Sequence, residues 1–213
     1  MKKLGLLLSM AFAIVLLGGN ALAQNVGDNS VYFVTYYSYA NTAGVPDSVM
    51  RLVNDGDTST GEVEGVPNGN LWASIYVFDD SQELQECCSC AVSADGLLSE
   101  SVNKNLTANE LTGRAERTRG VIKVISSASN DPTNNAPKPG LRGGQFTWDI
   151  AANVRDVSSK AVDEFLVFPK ETPLHDSNLV PAEKTGLEGS CSFAMTLGSG
   201  SGVCSCTLED HDF

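Results

Sequence analysis

Beyond residue 30, short apolar segments alternate with segments rich in Gly, Asn, Asp and Ser. The apolar segments are rich in β-branched and aromatic residues and are bounded by turn residues, a pattern typical of strands. Asp-Gly and Asn-Gly pairs between them favour the positive φ angles of tight hairpin turns. The pattern predicts strands at 31–40, 49–53, 71–78, 87–92, 97–102, 121–125, 145–150, 165–168, 191–197 and 203–208.

The number, shortness and spacing of these segments favour an antiparallel β-sandwich, Greek-key or jelly-roll-like, of about eight to ten strands over alternating βαβ units. Weak helical patterns are confined to 108–116 and 157–164. Two long irregular connections are predicted at 126–144 and 169–189. Neither has the flanking cores of a domain linker, so residues 24–213 are predicted to form one domain.

Residues 1–23 have the three parts of a secretory signal. Lys2 and Lys3 precede the apolar run 4–17, and Ala21-Leu22-Ala23 provides a small-x-small cleavage site before Gln24. The alternative, a membrane anchor, would need a longer apolar run and a basic stop-transfer cluster. The sequence therefore predicts a secreted protein, in the periplasm, outside the cell or at the cell surface, with no transmembrane anchor in the mature chain.

The charge balance is acidic. The formal net charge of −12 becomes −14 once Lys2 and Lys3 leave with the signal. A surface of this sign repels the phosphates of nucleic acids and anionic membranes. The composition therefore predicts no nucleic-acid partner, while it leaves carboxylates available for cations.

The six cysteines form two clusters, one in the middle of the chain and one near its end. An even number in an exported chain indicates disulfides. The alternative is a zinc site, but structural zinc sites typically use C-x₂₋₄-C, and here the spacings are C-C-x-C and C-x-C. The members are Cys87, Cys88, Cys90, Cys191, Cys204 and Cys206.

Strand geometry narrows the pairing of these cysteines. On extended strands, Cys88 and Cys90 point to one face and Cys87 to the other. If the two cysteine-bearing strands are antiparallel neighbours, Cys88 pairs with Cys206 and Cys90 with Cys204. Cys87 is then left for Cys191, unless it forms a strained vicinal bond with Cys88.

The first predicted strand, 31–40, is aromatic or apolar on both faces. Such a strand is either central in its own sandwich or donated to a neighbouring subunit, as in secreted filaments that polymerise by strand addition. The candidate assembly residues are Val31, Tyr32, Phe33, Tyr36, Tyr37 and Tyr39.

Two weaker patterns suggest ligands. Asp55, Asp57 and Ser59 place oxygen atoms at alternate positions, as the start of a Ca²⁺ loop does, but the loop lacks its central glycine and closing glutamate, so a hairpin turn is the competing interpretation. Trp72 and Trp148, with Tyr76 and the tyrosines of 36–39, could stack against a glycan, with core packing as the alternative. No cofactor other than Ca²⁺ is suggested.

Catalytic motifs are absent from the sequence. His175 and His211 lie in no recognisable nucleophile or metalloprotease motif, and the acidic tail 209–212 reads as a solvated terminus. A hydrolase using two carboxylates remains the third hypothesis, because any acidic chain supplies candidates.

The segments 71–92 (LWASIYVFDDSQELQECCSCAV), 96–99 and 202–206 (GVCSC) resemble an uncharacterised group of secreted bacterial proteins. The resemblance implies a bacterial exported protein and transfers no activity. We therefore expect a structural or cell-surface interaction protein that could self-assemble by strand donation. The alternative is a carbohydrate- or calcium-binding module.

Overall fold

The computed structural model describes residues 30–38, 40–45, 47–56, 69–112, 118–149 and 168–207. Within them the chain forms nine strands, one α-helix and a π-helical turn, Val102–Leu106. The strands are β1 (Tyr32–Tyr37), β2 (Val49–Asn54), β3 (Leu71–Asp79), β4 (Leu84–Val92), β5 (Leu97–Ser101), β6 (Gly120–Ser127), β7 (Leu141–Asp149), β8 (Phe168–Pro173) and β9 (His175–Asp176), and the helix is α1 (Pro181–Thr196).

The strands form two antiparallel sheets. The first sheet has the order β4-β3-β6-β1-β9 and the second the order β5-β2-β7-β8. The chain passes repeatedly between the sheets, which is why sequence neighbours such as β1 and β2 lie in different sheets. The predicted fold class, a disulfide-stapled antiparallel sandwich, is confirmed.

The main core lies between the two sheets and follows from the period-two alternation of the strands. In β3, Leu71, Ala73, Ile75 and Val77 point into this core, where they meet Leu52 of β2 and other buried side chains of the second sheet. The side chains in between point to the outer face of the first sheet. That face is also largely apolar, so it needs a cover of its own.

The cover is α1. Leu187, Cys191 and Ala194 are its buried side chains, and their spacing follows one helical face. Leu187 and Cys191 pack with Tyr32 and Tyr76 from the outer face of the first sheet. The molecule is thus a helix on a sheet on a second sheet.

The predicted strand at 191–197 is wrong, because residues up to Thr196 belong to α1. Pro181 occupies the first turn, where its missing N–H costs nothing and its fixed φ suits a helix. The apolar period of 3.6 was hidden by Gly186 and Gly189, which weaken a helical pattern in sequence.

Three other predicted segments need correction. Over 203–207 the chain is extended, but Val203 alone forms a bridge, a parallel one with Cys87, so no strand forms there. The predicted irregular connection 169–189 contains most of β8, all of β9 and the start of α1. The connection 126–144 is shorter than expected, since β6 reaches Ser127 and β7 begins at Leu141. No helix among the described residues is long and apolar enough to cross a membrane.

Candidate interaction surface

The three disulfides all start from β4, an edge strand of the first sheet. Cys87 is bonded to Cys191 of α1, 104 residues away in sequence. The other two bonds, made by Cys88 and Cys90, each span 116 residues and hold the segment 203–207. No described cysteine is free. Three long-range disulfides are consistent with folding in an oxidising, non-cytoplasmic compartment.

The predicted pair Cys87–Cys191 is confirmed, but the other two pairs are exchanged. Cys88 is bonded to Cys204 and Cys90 to Cys206. The prediction assumed antiparallel neighbours, whereas the bridge between Cys87 and Val203 is parallel. Because both segments run in the same direction, the first cysteine of one lies beside the first cysteine of the other. The assignment of faces was right, since Cys88 and Cys90 point into the core between the sheets and Cys87 points towards α1.

The sulfur atoms of Cys88, Cys90 and Cys206 lie close enough together to resemble a metal site. The Sγ atoms of Cys88 and Cys90 are 3.8 Å apart. Each of these sulfurs is already bonded to a partner cysteine, and metal binding requires the free thiolate. The cluster is therefore a pair of neighbouring disulfides.

The segment 203–207 is also held at its end. Thr207 donates from its backbone N–H to Glu100 Oε1 at 2.8 Å, and its hydroxyl lies 2.9 Å from Glu100 Oε2 and 3.0 Å from the Ser99 carbonyl oxygen. Glu100 is fully buried. Burial raises the pKa of Glu100 above its usual range, although the two hydrogen bonds from Thr207 act in the opposite direction.

The N-terminal part of α1 is fixed to the sheet by an ion pair. Glu183 Oε1 lies 2.5 Å from Lys123 Nζ and accepts a hydrogen bond from the Tyr32 hydroxyl at 2.8 Å. The Lys123 ammonium also lies 5.0 Å from the centre of the Phe78 ring. The hydrogen bond from Lys123 holds the pKa of Glu183 below its usual range, whereas burial, followed by the neighbouring carboxylate, raises the pKa of Tyr32.

A second polar contact fixes the middle of α1. Glu188 accepts from Lys184 Nζ at 2.5 Å and from the backbone N–H of Asn135 at 2.6 Å. Asn135 Nδ2 in turn lies 2.6 Å from the buried Tyr76 hydroxyl, which donates to the Pro132 carbonyl oxygen. Burial opposes ionisation of Glu188, yet the bonds from Lys184 and Asn135 bring its pKa below the usual range. Burial also raises the pKa of Tyr76.

These two contacts use all three charged residues of α1, Glu183, Lys184 and Glu188, each of which is half-buried. The outward surface of the helix is consequently without charge, although the chain carries 26 acidic residues. We call this surface the neutral face of α1. Its exposed residues are Pro181, Ala182, Thr185, Gly186, Gly189, Ser190, Ser192, Phe193, Met195 and Thr196.

A groove of about 640 Å³ runs along the neutral face. Gly186, Gly189 and Phe193 line it from the helix, and Leu84 and Leu111 line it from the other side. A Cβ added to either glycine would meet nothing within 4 Å, so no internal contact requires these glycines. Phe193 is 63% exposed.

An apolar row continues from the groove across the outer face of the first sheet. In register, Leu84 of β4 pairs with Phe78, Phe78 with Val121, and Val121 with Tyr36. Tyr36 is 71% exposed, and the other three are partly exposed. Four neighbouring strands thus present apolar side chains to solvent, spanning about 14 Å at the usual strand spacing.

The candidate assembly residues are located in and beside β1. All six residues of β1 pair with β6 of the same chain, and Phe33 and Val34 also pair with β9. Tyr32, Phe33 and Tyr37 are buried, Val31 is partly buried, and Tyr36 is exposed. Tyr39 lies outside the described residues. Pairing within its own chain, the alternative to donation, is therefore the arrangement of this monomer.

The predicted ligand residues lie only partly within the described residues. Asp55 Oδ2 lies 3.0 Å from Arg142 Nη2, so its charge is balanced by a cation of the protein, while Asp57 and Ser59 lie outside the described residues. Of the predicted glycan platform, Tyr76 is fully buried, and Trp72 belongs to β3 of the first sheet. Trp148 belongs to β7, in the other sheet. The predicted glycan platform is therefore not assembled from these residues.

Sequence reasoning missed the neutral face and its groove because it missed α1. A signal was present in the sequence: every residue from Gly189 to Gly202 is uncharged. His175 forms part of β9, and His211 lies outside the described residues.

Comparison with protein-family models, with curated proteins and with solved structures gives no significant match.

Proposed function

We propose that the chain is an exported structural protein whose copies associate with one another. The observation that carries this proposal is the exposed neutral and apolar surface formed by α1, the groove and the row from Leu84 to Tyr36. Of the described residues that line the groove, Glu83 alone is charged, so in this acidic protein the surface can approach a second copy with little like-charge repulsion. Interface centres are typically depleted of charged residues and enriched in aromatic ones.

The disulfides support a structural role. They fix α1 and the segment 203–207 to one strand, so the surface is held in place without help from a ligand. The signal-like residues 1–23 and the oxidised cysteines support export, and cleavage is expected before Gln24.

The test is the molar mass of residues 24–213, folded with their disulfides, measured by light scattering over a wide range of concentration. We expect a mass that rises with concentration to at least that of a dimer. A monomer at every concentration would contradict the proposal. Deleting residues 24–40 is not a suitable variant, because Phe33 and Tyr37 belong to the core and their loss would unfold the chain.

Glycan binding is the second candidate function. It is favoured by the hydroxyl groups of Thr112, Thr185 and Ser190, which line the groove together with Phe193. It predicts a rise in melting temperature in a screen of oligosaccharides, and Ca²⁺ belongs in the same screen. Of the described residues that line the groove, Glu83 alone carries a carboxylate, so a hydrolase with two facing carboxylates gains no support there.

A further inference from the structure

Gly186 and Gly189, which line the groove, lower the stability of α1, and no contact within the chain requires a glycine at either position. A glycine within a helix is less favourable than alanine by about 0.5–1 kcal/mol. Gly186 and Gly189 are exposed, and a Cβ added to either would meet no other atom within 4 Å. Their effect is to leave a notch on the outward side of α1, where another backbone or side chain could approach closely.

A projecting side chain lies on the same side of the helix. Phe193 follows Gly189 by four residues and Gly186 by seven, so the three positions lie one above the other over two turns. Phe193 is 63% exposed and lines the groove together with both glycines. The neutral face thus carries both a notch and an aromatic side chain that would fill such a notch.

A contact between two identical copies requires that one surface supply both partners of each interaction. About a twofold axis, residue i of one copy contacts residue j of the other, and j contacts i. An antiparallel pair of α1 helices with the axis near Ser190 places Phe193 of each copy over Gly186 and Gly189 of the other. Small residues at the crossing allow the helices to approach closely.

The charges favour the same occupant. The three charged residues of α1 are engaged with Lys123, Asn135 and each other on the side facing the protein. Among the described residues that line the groove, Glu83 is the one charged residue, so the crossing brings few like charges together. A basic partner would be expected to meet several exposed carboxylates, whereas the exposed residues of α1 include none and the described lining of the groove adds Glu83 alone.

We infer that two copies of this chain dimerise through the neutral face of α1, with Phe193 of each copy inserted into the Gly186–Gly189 notch of its partner. This inference rests on the proposed self-association and names the surface that carries it. Strand addition at β1 is a different contact and is an alternative outcome of the test.

The test compares three variants of residues 24–213 by light scattering and sedimentation. Gly189→Leu fills the notch and Phe193→Ser removes the side chain that enters it, and each is expected to weaken dimerisation by about tenfold or more, as for a buried aromatic anchor. Ala91→Leu adds the same side chain at an exposed position of β4, outside the neutral face and the groove, and should leave dimerisation unchanged. Thermal melting at a concentration where both proteins are monomeric checks folding, and there Gly189→Leu should melt no lower than the parent, because leucine is the better helix former.

Each outcome separates the two proposals. If the parent dimerises and only the two groove variants become monomeric, the inference is supported. If all variants dimerise equally, the α1 contact is wrong while self-association stands, and Tyr36→Glu then tests the β1 side. If the parent is a monomer throughout, the inference and the proposed function are both wrong.

Discussion

The two edges of the first sheet are closed by different means. At one edge, β4 is covered by the segment 203–207 and joined to it by two disulfides, with a third to α1. At the other edge, two residues of β9 pair with β1. Hydrogen bonds and side-chain packing hold β9 in place. No described disulfide reaches this edge.

The difference shows where the molecule can change shape. An exposed strand edge invites pairing with another chain, and proteins commonly cover such edges. The β4 edge is covered covalently, so opening it requires reduction. We expect the edge at β1 to open more readily, because β9 contributes two paired residues and no described disulfide holds it.

The largest expected effect is complete reduction. In the chain-entropy model, the first of these long loops contributes about 4–5 kcal/mol and the others add roughly 2–3 kcal/mol each. That total is comparable to the whole stability of a typical domain. We expect the reduced and alkylated chain to be largely unfolded by circular dichroism at 37 °C, and a native spectrum after full reduction would contradict this.

At the opposite edge, we expect Leu174→Ala to lower the free energy of unfolding by about 3 kcal/mol, through lost apolar burial and a cavity. Leu174 is buried in the main core, and its N–H donates to the Gly143 carbonyl oxygen at 3.0 Å. The matched control is Leu97→Ala, at an exposed position, which should change stability little. Urea unfolding measures both, and equal effects would place Leu174 outside the core.

The individual disulfides should contribute unequally to the free energy of unfolding. With the other two bonds intact, Cys87–Cys191 closes a loop of about sixteen residues and Cys90–Cys206 one of about six, because the neighbouring disulfides shorten the path. Replacing Cys87 and Cys191 by Ser should cost about 3 kcal/mol, and replacing Cys90 and Cys206 about 2 kcal/mol. Urea unfolding of the two double variants tests the order, and the reverse order would contradict it.

Acid should act in opposite directions on the two regions, and this is the smallest expected effect. The pKa of Glu183 is lowered in the folded chain, so its stabilising contribution is present above the unfolded pKa and is lost as the pH falls through the folded value. The pKa of Glu100 is raised, so its contribution is present below the unfolded pKa and is lost as the pH rises through the folded value.

The corresponding variants separate these contributions. Glu183→Gln should lower stability at pH 7 by about 0.5–1 kcal/mol, as for a partly exposed ion pair, and lose that deficit in acid. The stability of Glu100→Gln relative to the parent should be highest at pH 7, because the substitution removes the cost of ionising a buried carboxyl group. The free energy of unfolding, measured from about pH 3 to about pH 8, tests both predicted pH dependences. If stability varied with pH in the same way for the two variants, the prediction would be wrong.

Much of the sheet structure was predictable from sequence, since β2 to β6 each contain a segment with strong strand character. α1 was not predictable in the same way, because its buried stripe has only Leu187, Cys191 and Ala194, and Gly186 and Gly189 lower the helix propensity of the segment. The pairing of Cys204 with Cys88 and of Cys206 with Cys90 was also not predictable from the sequence. The C-x-C spacing places both sulfurs on one face whether the neighbouring segment is parallel or antiparallel.

Native-state hydrogen exchange of the oxidised protein tests the central claim most directly. We predict that the amides of β4 are among the slowest to exchange, whereas those of β9 and the following Ser177, whose N–H donates to the Tyr32 carbonyl oxygen, exchange by local opening well before global unfolding. Equal protection of the β4 and β9 edges, or earlier opening of β4 with its disulfides intact, would contradict the account.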